Sequence, residues 1–510
     1  MPATDMKKTL FPVVAALAAS VACAADAELA DPAAVVAQVR AAADRRIDAI
    51  RRTPNGAVPQ GAATYYVSAR SGDDSADGRT PQTAWRTSAR LGREAIAPGS
   101  FVLFERGGTY RGTVKTRPGV TYTAYGEGPK PLVCASPEDG ADPRKWRTTD
   151  KPGIWAYAIG HRDVGTLVFN GGESCATKVV FRTDRKTGRR SDLKTGRPFD
   201  SYRDLEGDLR FWHDYYEKGT GELYLCSERN PGERFRSIEF NVKAHGFGVG
   251  GNADVTIDNF EIRYVGVHGV GAGTCRNLTV RNCEFAWIGG SIQAEGIFGR
   301  DYPTRLGNAV EIYGGCDGYV VSNCYIRQVY DAAITHQFNI PAAAGAKRYD
   351  ERNVLYAHNV IEDCNYSVEY FLTAPKGNQS LMENVLVTDN LMFDAGCGFC
   401  EQRPDRGVAS HVQGWFGKGR NRARNFVIRG NVMCRAIDSL LHVGAGLRNL
   451  DGSSSLPEFA DNVLIAHEGD RFGFVSETSG KIQLFGGATQ AFMDGLGKGN
   501  RCVVLPPKGK

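Results

Sequence analysis

Six segments of the chain share one short pattern, and this repeat constrains the fold more than any other feature. Each has an apolar or aromatic residue four positions before an Asn and an apolar residue or Cys directly after it. Asn tolerates a left-handed backbone and bonds neighbouring main chain, so the pattern indicates strand, turn and strand with the Asn at the bend. The segments are VTIDNFEI (255–262), LTVRNCEF (278–285), YVVSNCYI (319–326), LYAHNVIE (355–362), LVTDNLMF (386–393) and VIRGNVMC (427–434), centred on Asn259, Asn282, Asn323, Asn359, Asn390 and Asn431.

The spacing of these Asn residues predicts a solenoid of stacked coils. The shortest interval, from Asn259 to Asn282, is 23 residues, which fits one turn of a three-faced parallel β-helix. No amphipathic helix alternates with the strands, and this disfavours a doubly wound sheet. We therefore predict stacked coils over residues 236–450, with the six Asn side chains in one column.

Cysteines recur at fixed places in the same repeat. Cys283 and Cys324 each follow a repeat Asn, and Cys275 and Cys316 each precede one by seven residues. Inward-facing cysteines in successive coils behave as small hydrophobic residues, so we predict packed columns without a bond between the sulfurs. Disulfides in an exported protein are the alternative.

The stretch that leads into the repeat has a recognisable order of elements. Residues 65–85 read YYVSARSGDDSADGRTPQTAW, and residues 96–114 read IAPGSFVLFERGGTYRGTV. A Tyr-Val-Ser strand, an Asp/Gly-rich turn, a Trp, a Pro-Gly turn and Gly-Gly-Thr-Tyr in this order resemble the opening of pectate-lyase-like right-handed β-helix proteins. The resemblance covers most of residues 62–450. It implies an all-β, single-stranded right-handed parallel β-helix that acts on polysaccharide.

The organisation predicted along the chain has six parts. The N-terminal part of the mature chain is helix-prone, and the region after residue 139 interrupts the coils with a β-hairpin. The parts are a signal peptide (1–24), a helical N-terminal segment packed before or against the N-terminal cap (25–61), the cap and first coils (62–139), the inserted hairpin region (140–235), the regular coils (236–450) and C-terminal strands with a cap (451–510).

The first 24 residues predict export. Lys7 and Lys8 precede an apolar run that ends at the small-residue site Ala22-Cys23-Ala24. We expect a secreted or periplasmic protein; a surface lipoprotein, from the lipobox-like Ser-Val-Ala-Cys, is the alternative. No other stretch is apolar enough to cross a membrane. The formal charge of +5 falls to about +4 after cleavage, too little to indicate nucleic-acid binding. We expect a monomer.

Insertions into the coils suggest where a substrate binds. The Asn intervals of 23, 41, 36, 31 and 41 residues place extra residues at about 292–306, 338–352, 373–383 and 402–424. Because they follow corresponding strands, we expect them to emerge from one flank and to border a shared cleft.

Charged and aromatic residues beside these insertions are the candidate site. Coils stack about 4.8 Å apart, so carboxylates one or two coils apart fall in the range of glycosidase pairs. The candidate catalytic residues are Asp331, Glu369, Glu311 and His336. The candidate substrate-binding residues are Arg403, Gln402, Tyr370, His411, Trp415, Arg300, Tyr302 and Arg305.

Three functions use these residues differently. A glycoside hydrolase, the first choice, needs a carboxylate pair beside a groove. A polysaccharide lyase needs a base, such as His336, His411 or Tyr370, beside cations that hold a uronate. A non-catalytic carbohydrate binder or adhesin needs only aromatic and polar loops. The polygalacturonase and pectate-lyase sequence signatures are both absent.

No cofactor is required by this interpretation. Asp73, Asp74 and Asp77 are candidate calcium ligands, with a hydrophilic turn as the alternative. No Cys or His spacing indicates a zinc site.

Overall fold

The computed structural model describes residues 31–160, 163–215, 221–294, 299–404, 409–414, 423–444, 456–477 and 480–508. Most of these residues form a parallel solenoid with three strand-bearing faces. Every coil contributes up to one strand to each face, and each strand pairs in parallel with the equivalent strand of the next coil, as at Leu278 with Tyr319. The predicted all-β parallel β-helix is confirmed.

The first face is one sheet of ten strands. In chain order they are Thr64–Val67, Phe101–Glu105, Thr121–Tyr125, Val255–Asp258, Cys275–Arg281, Cys316–Ser322, Glu351–Ala357, Met382–Thr388, Ala423–Arg429 and Glu458–Ala460.

The second and third faces belong to one larger sheet, because two long strands turn the corner between them. The second face holds Thr109–Arg111, Leu132–Cys134, Glu261–Val265, Glu284–Ile288, the first parts of Tyr325–Asn339 and Val360–Thr373, then Leu391–Ala395, Val432–Ala436, Val463–His467 and Arg501–Leu505. The third face holds Val114–Lys115, Phe247–Gly250, Val270–Ala272, Val310–Tyr313, the second parts of the two long strands, then Ser410–Gly414, Ser439–Gly444, Arg471–Glu477 and the antiparallel Gly480–Phe485.

The six repeat Asn residues occupy two columns, so the prediction of one column is wrong. Asn259, Asn282 and Asn323 take the left-handed position of the turn, with φ of 69°, 53° and 53°. In the next coil that position belongs to His358, and the inward position after it, held by Cys324 in the preceding coil, passes to Asn359. A one-residue shift therefore separates the first three repeats from the last three, and such a shift exchanges inward and outward side chains.

The inward column is a continuous amide ladder. The side-chain Nδ2 of Asn359 donates to Asn390 Oδ1 over 2.9 Å, and Asn390 donates in the same way to Asn431 over 2.9 Å. The ladder continues through Asn462 to Asn500, which lie beyond the predicted repeats. Each Oδ1 also accepts a backbone N–H from the preceding coil, so one buried side chain satisfies several polar groups at each turn.

The cysteine columns are confirmed. Cys275 pairs in register with Cys316, and Cys283 and Cys324 occupy the same place in neighbouring coils. All four are buried and free, and no cysteine in the described part of the chain forms a disulfide.

The helix Pro32–Arg51 lies along the outside of the second face, and not at the N-terminal cap as predicted. Its buried side chains recur every three or four residues, from Val35 to Ile50, and they pack on strands from several coils, including Arg501–Leu505. Arg40 pairs with Glu362 at 2.8 Å and Arg51 with Glu284 at 3.1 Å, which fixes the helix across the stack. The other α-helices in the described ranges are Ser88–Leu91, Pro231–Arg234 and Gly487–Leu496; the last packs Met493 into the core near the final coil.

The inserted region is larger than the predicted hairpin. Arg210–His213 and Glu222–Cys226 do form an antiparallel pair, and they belong to a five-stranded sheet with Thr177–Lys178, Ile154–Ala158 and Trp146–Thr148. Further strands are Val164–Phe169, Ser174–Cys175, Ile238–Val242, Phe181–Thr183 and Arg190–Asp192. The region enters after a second-face strand and returns before a third-face strand, so it covers the corner between those faces.

The insertions emerge at two corners, so the prediction of one shared flank is wrong. Residues 289–309, with the short strands Ile292–Ala294 and Thr304–Arg305, and residues 396–409 leave between the second and third faces. Residues 340–350 and 374–381 leave between the third face and the first. The third face is consequently bordered by insertions at both of its edges.

Among the described residues, no helix is long and apolar enough to span a membrane. Residues 1–30, which contain the predicted signal peptide and lipobox-like segment, lie outside the described part of the chain.

The ladder predicts that Asn390→Ala costs about 2–4 kcal/mol of unfolding free energy. The substitution leaves buried backbone groups without hydrogen-bond partners, including Asn359 N–H and Tyr356 C=O. Asn425→Gly is the matched control. Asn425 is exposed with φ of 53°, which Gly accommodates, and its amide donates only to Asn384 Oδ1. Urea unfolding should separate the two variants; equal costs would contradict a structural ladder.

A buried acid inside the solenoid generates a pH prediction. Glu351 is fully buried, neither carboxyl oxygen has a hydrogen-bond partner among the described residues, and burial raises its pKa well above the usual range. The unfolded chain loses this proton near pH 4.3 and the folded chain keeps it, so the group destabilises the fold increasingly as pH rises from about 4 towards neutral.

Glu351→Met places at this site the residue that Met382 provides in the next coil. We expect the variant to unfold at higher urea than the wild type, with a larger difference at pH 8 than at pH 4. The exposed Glu458→Met should show no such pH dependence. A Glu351→Met variant that is less stable at pH 8 would mean that the carboxyl has a stabilising partner.

Candidate functional site

A groove of about 820 Å³ opens on the third face, near the N-terminal end of the regular coils. This volume is typical of a site that encloses a small ligand or a few sugar units. The residues that give it chemical character are Lys115, Tyr215, Lys243, His245, His268 and Glu311.

Two copies of one short sequence build the groove. Residues 245–250 read HGFGVG and residues 268–273 read HGVGAG, 23 residues apart. They stack in register, with Phe247 beside Val270 and Gly248 beside Gly271. In the following coil Glu311 pairs with Gly271, so the outward column runs from Lys115 through two glycines to Glu311.

The glycines keep the floor of the groove low. A Cβ atom on Gly271 would lie 2.7 Å from Nδ1 of His245, so any larger residue there displaces the imidazole. A Cβ on Gly248 would meet only Thr113 Cγ2, at 3.4 Å. The backbone is thus exposed to a ligand between Lys115 and the two histidines.

The two histidines stack in the turn before the third-face strands. Their ring centroids are 5.3 Å apart with 22° between the planes. The backbone N–H of Asn308 donates to His268 Nδ1 over 3.0 Å, so the proton of the neutral ring is on Nε2, which lies 3.3 Å from Glu311 Oε1. Burial lowers the pKa of His268 to about 3, and that of His245 to about 4, so both rings are neutral near pH 7.

Glu311 is held by hydrogen bonds at the end of the groove. Asn308 Nδ2 donates to Oε2, and Gln337 Nε2 donates to the same atom over 3.4 Å. Burial outweighs these donors and raises the pKa of Glu311 to about 7. The carboxyl therefore exchanges its proton close to neutral pH, which suits a general acid or base.

The groove also carries cationic and aromatic groups. Lys115 is exposed and Lys243 half-buried, with Nζ of Lys243 donating to the Gln293 carbonyl over 3.3 Å. The Tyr215 ring stacks on His213 at 5.9 Å. Two cations and one carboxyl thus surround a pair of neutral imidazoles.

A buried ion pair supports this wall from behind. Lys178 and Asp163 are paired in the interior, where Lys178 holds the pKa of Asp163 at about 2 against burial, and burial lowers the pKa of Lys178 to about 8. The Asp163 carbonyl accepts Lys243 N–H at 2.7 Å, and its carboxylate accepts Ile292 N–H at 2.6 Å. Asp163 therefore joins the inserted region, the groove and the first insertion.

Of the predicted catalytic residues, Glu311 lies in the groove. Glu369 points outward in the same column two coils further along, because Glu311 pairs with Thr335 and Thr335 with Glu369. Asp331 lies four residues before Thr335 and is therefore outside this column. It forms a buried ion pair with Arg403, whose guanidinium lies between the rings of Tyr330 and Tyr366. Whether these residues act on a substrate stays a prediction.

His336 and Tyr370 point into the solenoid, so their expected place on the outer face is wrong. Both are fully buried; His336 Nδ1 lies 2.7 Å from Tyr356 Oη, and the His336 and Tyr370 rings stack at 6.1 Å. Strand alternation explains the error, since Glu311 and Glu369 point outward and their neighbours Ile312 and Tyr370 point inward.

His411 is also fully buried, between Ser367 Oγ at 2.9 Å and the Arg435 carbonyl at 2.9 Å, so the expected substrate contact is wrong.

The remaining predicted binding residues connect structural parts. Arg305 is buried and donates to the carbonyls of Gly290 and Gly165. Gln402 Nε2 donates to the Ala176 carbonyl over 2.9 Å. This bond connects the coil insertion that contains Gln402 to the inserted region that follows residue 139. Arg300 lies against the Tyr302 ring, and their neighbour Asp301 pairs with Arg182. Trp415 lies outside the described residues.

The sequence analysis missed His245, His268, Lys115, Lys243 and Tyr215. The signal for the histidines was present, because HGxGxG occurs twice at the interval of one coil. Nothing local in the sequence places Tyr215 there, since the inserted region supplies it.

The candidate calcium ligands bond their own loop: Asp73 accepts from Ser75 N–H, Asp74 from Arg86 N–H and Asp77 from Arg79 N–H. No group of three His, Cys, Asp or Glu side chains suited to a metal ion occurs in the described part of the chain.

The protonation states can be measured directly. We expect the ring nitrogens of His245 and His268 to remain neutral from pH 8 to pH 5 in two-dimensional ¹⁵N–¹H NMR spectra, because both rings are desolvated. The half-buried His467 gives a reference signal in the same spectrum. Titration of either groove histidine above pH 6 would show that its ring is solvated or paired with an ionised Glu311.

Residues 245–469 match the family model described as right handed beta helix region. No curated protein sequence matches the chain.

Solved structures with a similar chain path include three carbohydrate-active proteins. The lacto-N-biosidase of family GH136 from Eubacterium ramulus is 13% identical with a TM-score of 0.40, over 87% of this chain and 68% of that one. A rhamnogalacturonan lyase is 9% identical with a TM-score of 0.35, over 82% and 86%. The family 28 exopolygalacturonase of Yersinia enterocolitica is 12% identical with a TM-score of 0.27, over 88% and 79%.

The matched residues 245–469 include both HGxGxG segments, Glu311 and nearly all the coils that follow them. This match and the three stacked faces show that the fold of the chain is a right-handed parallel β-helix.

Proposed function

We propose that the third-face groove cleaves a uronic-acid-containing polysaccharide by β-elimination. The observation that carries this proposal is the composition of the groove: Lys115, Lys243 and Tyr215 surround two neutral histidines and a single carboxyl, Glu311. Such a set suits the removal of a proton beside a carboxylate better than it suits glycoside hydrolysis, which needs two carboxyls.

The cations account for the choice of sugar. In a uronate the carboxylate is attached to C5, the same carbon that bears the proton removed in elimination. Lys115 and Lys243 neutralise that carboxylate, and this lowers the cost of the enolate-like charge that develops on it. Tyr215 offers an aromatic surface to the apolar face of a sugar ring.

The protonation states of His245 and Glu311 assign each of them one of the two proton transfers. His245 is neutral at pH 7 and lines the groove, so we assign to it the removal of the C5 proton. Glu311, with a pKa of about 7, retains a proton on a substantial fraction of molecules and can donate it to the glycosidic oxygen at C4. The C4–O bond breaks and a C4–C5 double bond forms; His245 then releases its proton to solvent, and Glu311 takes one up from solvent.

A glycoside hydrolase is the second candidate, and one observation favours it. Glu311 and Glu369 share an outward column two coils apart, which places their backbones about 10 Å apart. Carboxyls of inverting glycosidases lie about 6.5–9.5 Å apart, so a modest tilt of the side chains would bring this pair into range.

The activity assay distinguishes these functions on a panel of acidic and neutral glycans. Elimination produces an unsaturated sugar with a new ultraviolet absorbance, whereas hydrolysis produces reducing ends alone. We expect absorbance to rise on a uronate polymer, and His245→Gln and Glu311→Gln each to lower kcat by about 10²–10⁴ without changing the melting temperature. Asp254→Asn, at an exposed turn of the first face, is the control. Reducing ends without absorbance would contradict the elimination, and unchanged kcat in both variants would remove the groove from catalysis.

The pH dependence gives an independent test. The base loses activity when it is protonated, near pH 4, and the acid when it is deprotonated, near pH 7. We expect kcat to be bell-shaped with its maximum between these values. In the Glu311→Gln variant, the residual kcat should no longer fall as pH rises through 7. A profile that rises through pH 7 would show that Glu311 acts as an ionised base.

A further inference from the structure

A second, smaller groove of about 310 Å³ lies on the second face, on a different side of the solenoid from the catalytic groove. The residues that give it charge and shape are Lys130, Arg263, Ala286, Arg327 and the carboxyl residues Glu261 and Glu284. Its volume is at the lower end of the range for small-ligand sites.

Lys130 is a buried cation without a counter-ion. Its relative exposure is 4%, and its Nζ donates to Asn259 Oδ1 and to Asn282 O, the latter over 2.8 Å. No carboxylate in the described part of the chain lies within ion-pair distance of this ammonium. An ammonium has three protons, and removing it from water without an anion is costly, so the third proton is available to a ligand.

The outward column of the second face shapes the groove. Arg263, Ala286 and Arg327 follow one another in register, so two arginines lie two coils apart with a small residue between them. Arg263 is fixed by Glu261 at 3.1 Å and by the Gly171 carbonyl at 2.6 Å. Arg327 lies against the Tyr325 ring at 5.9 Å and forms no ion pair with any described residue.

Both carboxyls at the groove have cationic partners. Glu284 pairs with Arg51 at 3.1 Å, and Glu261 with Arg263. These two ion pairs are neutral overall, so the charges of Lys130 and Arg327 give the groove a net positive charge.

We propose that this second-face groove is a separate binding site for an anionic sugar unit, whose carboxylate is held by Lys130 and Arg327 above Ala286. The guanidinium of Arg327 matches a carboxylate with two parallel hydrogen bonds, and Lys130 supplies a charge from the floor. The site anchors an acidic glycan without cleaving it, because both carboxyls that line the groove, Glu261 and Glu284, are paired with arginines.

Calorimetric titration with D-galacturonate, D-galactose and sulfate tests the site. The monosaccharide has no glycosidic bond, so the outcome does not depend on the proposed elimination. The starting protein is a Lys115→Ala/Lys243→Ala variant, which removes binding at the catalytic groove. We expect it to bind galacturonate and not galactose. Added Arg327→Gln or Ala286→Leu should weaken that binding about tenfold or more, as expected for a lost charge-assisted contact or a filled groove.

Arg276→Gln, an exposed arginine on the first face, is the control and should leave the affinity unchanged. The proposal is overturned if the starting variant binds no galacturonate, or if Arg327→Gln and Ala286→Leu bind it as tightly as the control. Binding of sulfate alone would overturn the assignment to a sugar acid. Circular dichroism and melting temperature confirm that each variant is folded before titration.

Discussion

The turn of each coil, and the buried amide that satisfies it, is the constraint on which the rest of the structure depends. A parallel solenoid must bend the chain three times per coil, and each bend leaves backbone groups without a strand partner. Left-handed residues at fixed positions make the bends, and the ladder from Asn359 to Asn500 bonds the groups that the bends expose. Once the turns are fixed in register, every outward side chain acquires a defined neighbour one coil away. The functional columns are a consequence of that register.

The third-face groove follows from this register. Two coils present His and Gly at identical positions, and the third presents Asn and Glu, so the histidines, the open floor and the carboxyl come together in neighbouring coils. Burial lowers the pKa of the two histidines and raises that of Glu311. The second-face groove arises in the same manner, where Ala286 interrupts two arginines. On a solenoid, a single small residue in a column of long ones is enough to create a cavity.

The sequence predicted the architecture better than the site, for reasons that lie in particular residues. Spacing revealed the coils because stacking imposes a period. It could not reveal that Asn359 follows the turn position and Asn323 occupies it, since both sit in the same apolar pattern. The same uncertainty of one residue decides whether the side chain of His336 or that of Thr335 points outward from the solenoid. Tyr215 and Lys243 reach the groove through the fold of the inserted region, which no local pattern specifies. The repeated HGxGxG was available to sequence reasoning and identifies the groove histidines.

The central claim is that the groove breaks a C–O bond by elimination, without adding water. Digestion of a uronate polymer in water enriched in oxygen-18, followed by mass spectrometry of the fragments, tests it most directly. The account predicts fragments that carry no oxygen-18 from cleavage, and an unsaturated sugar at the non-reducing end of the fragment released on the reducing side of each cut. Incorporation of one solvent oxygen per cleaved bond would contradict it and would assign the reaction to hydrolysis, with Glu311 and Glu369 as the candidate pair.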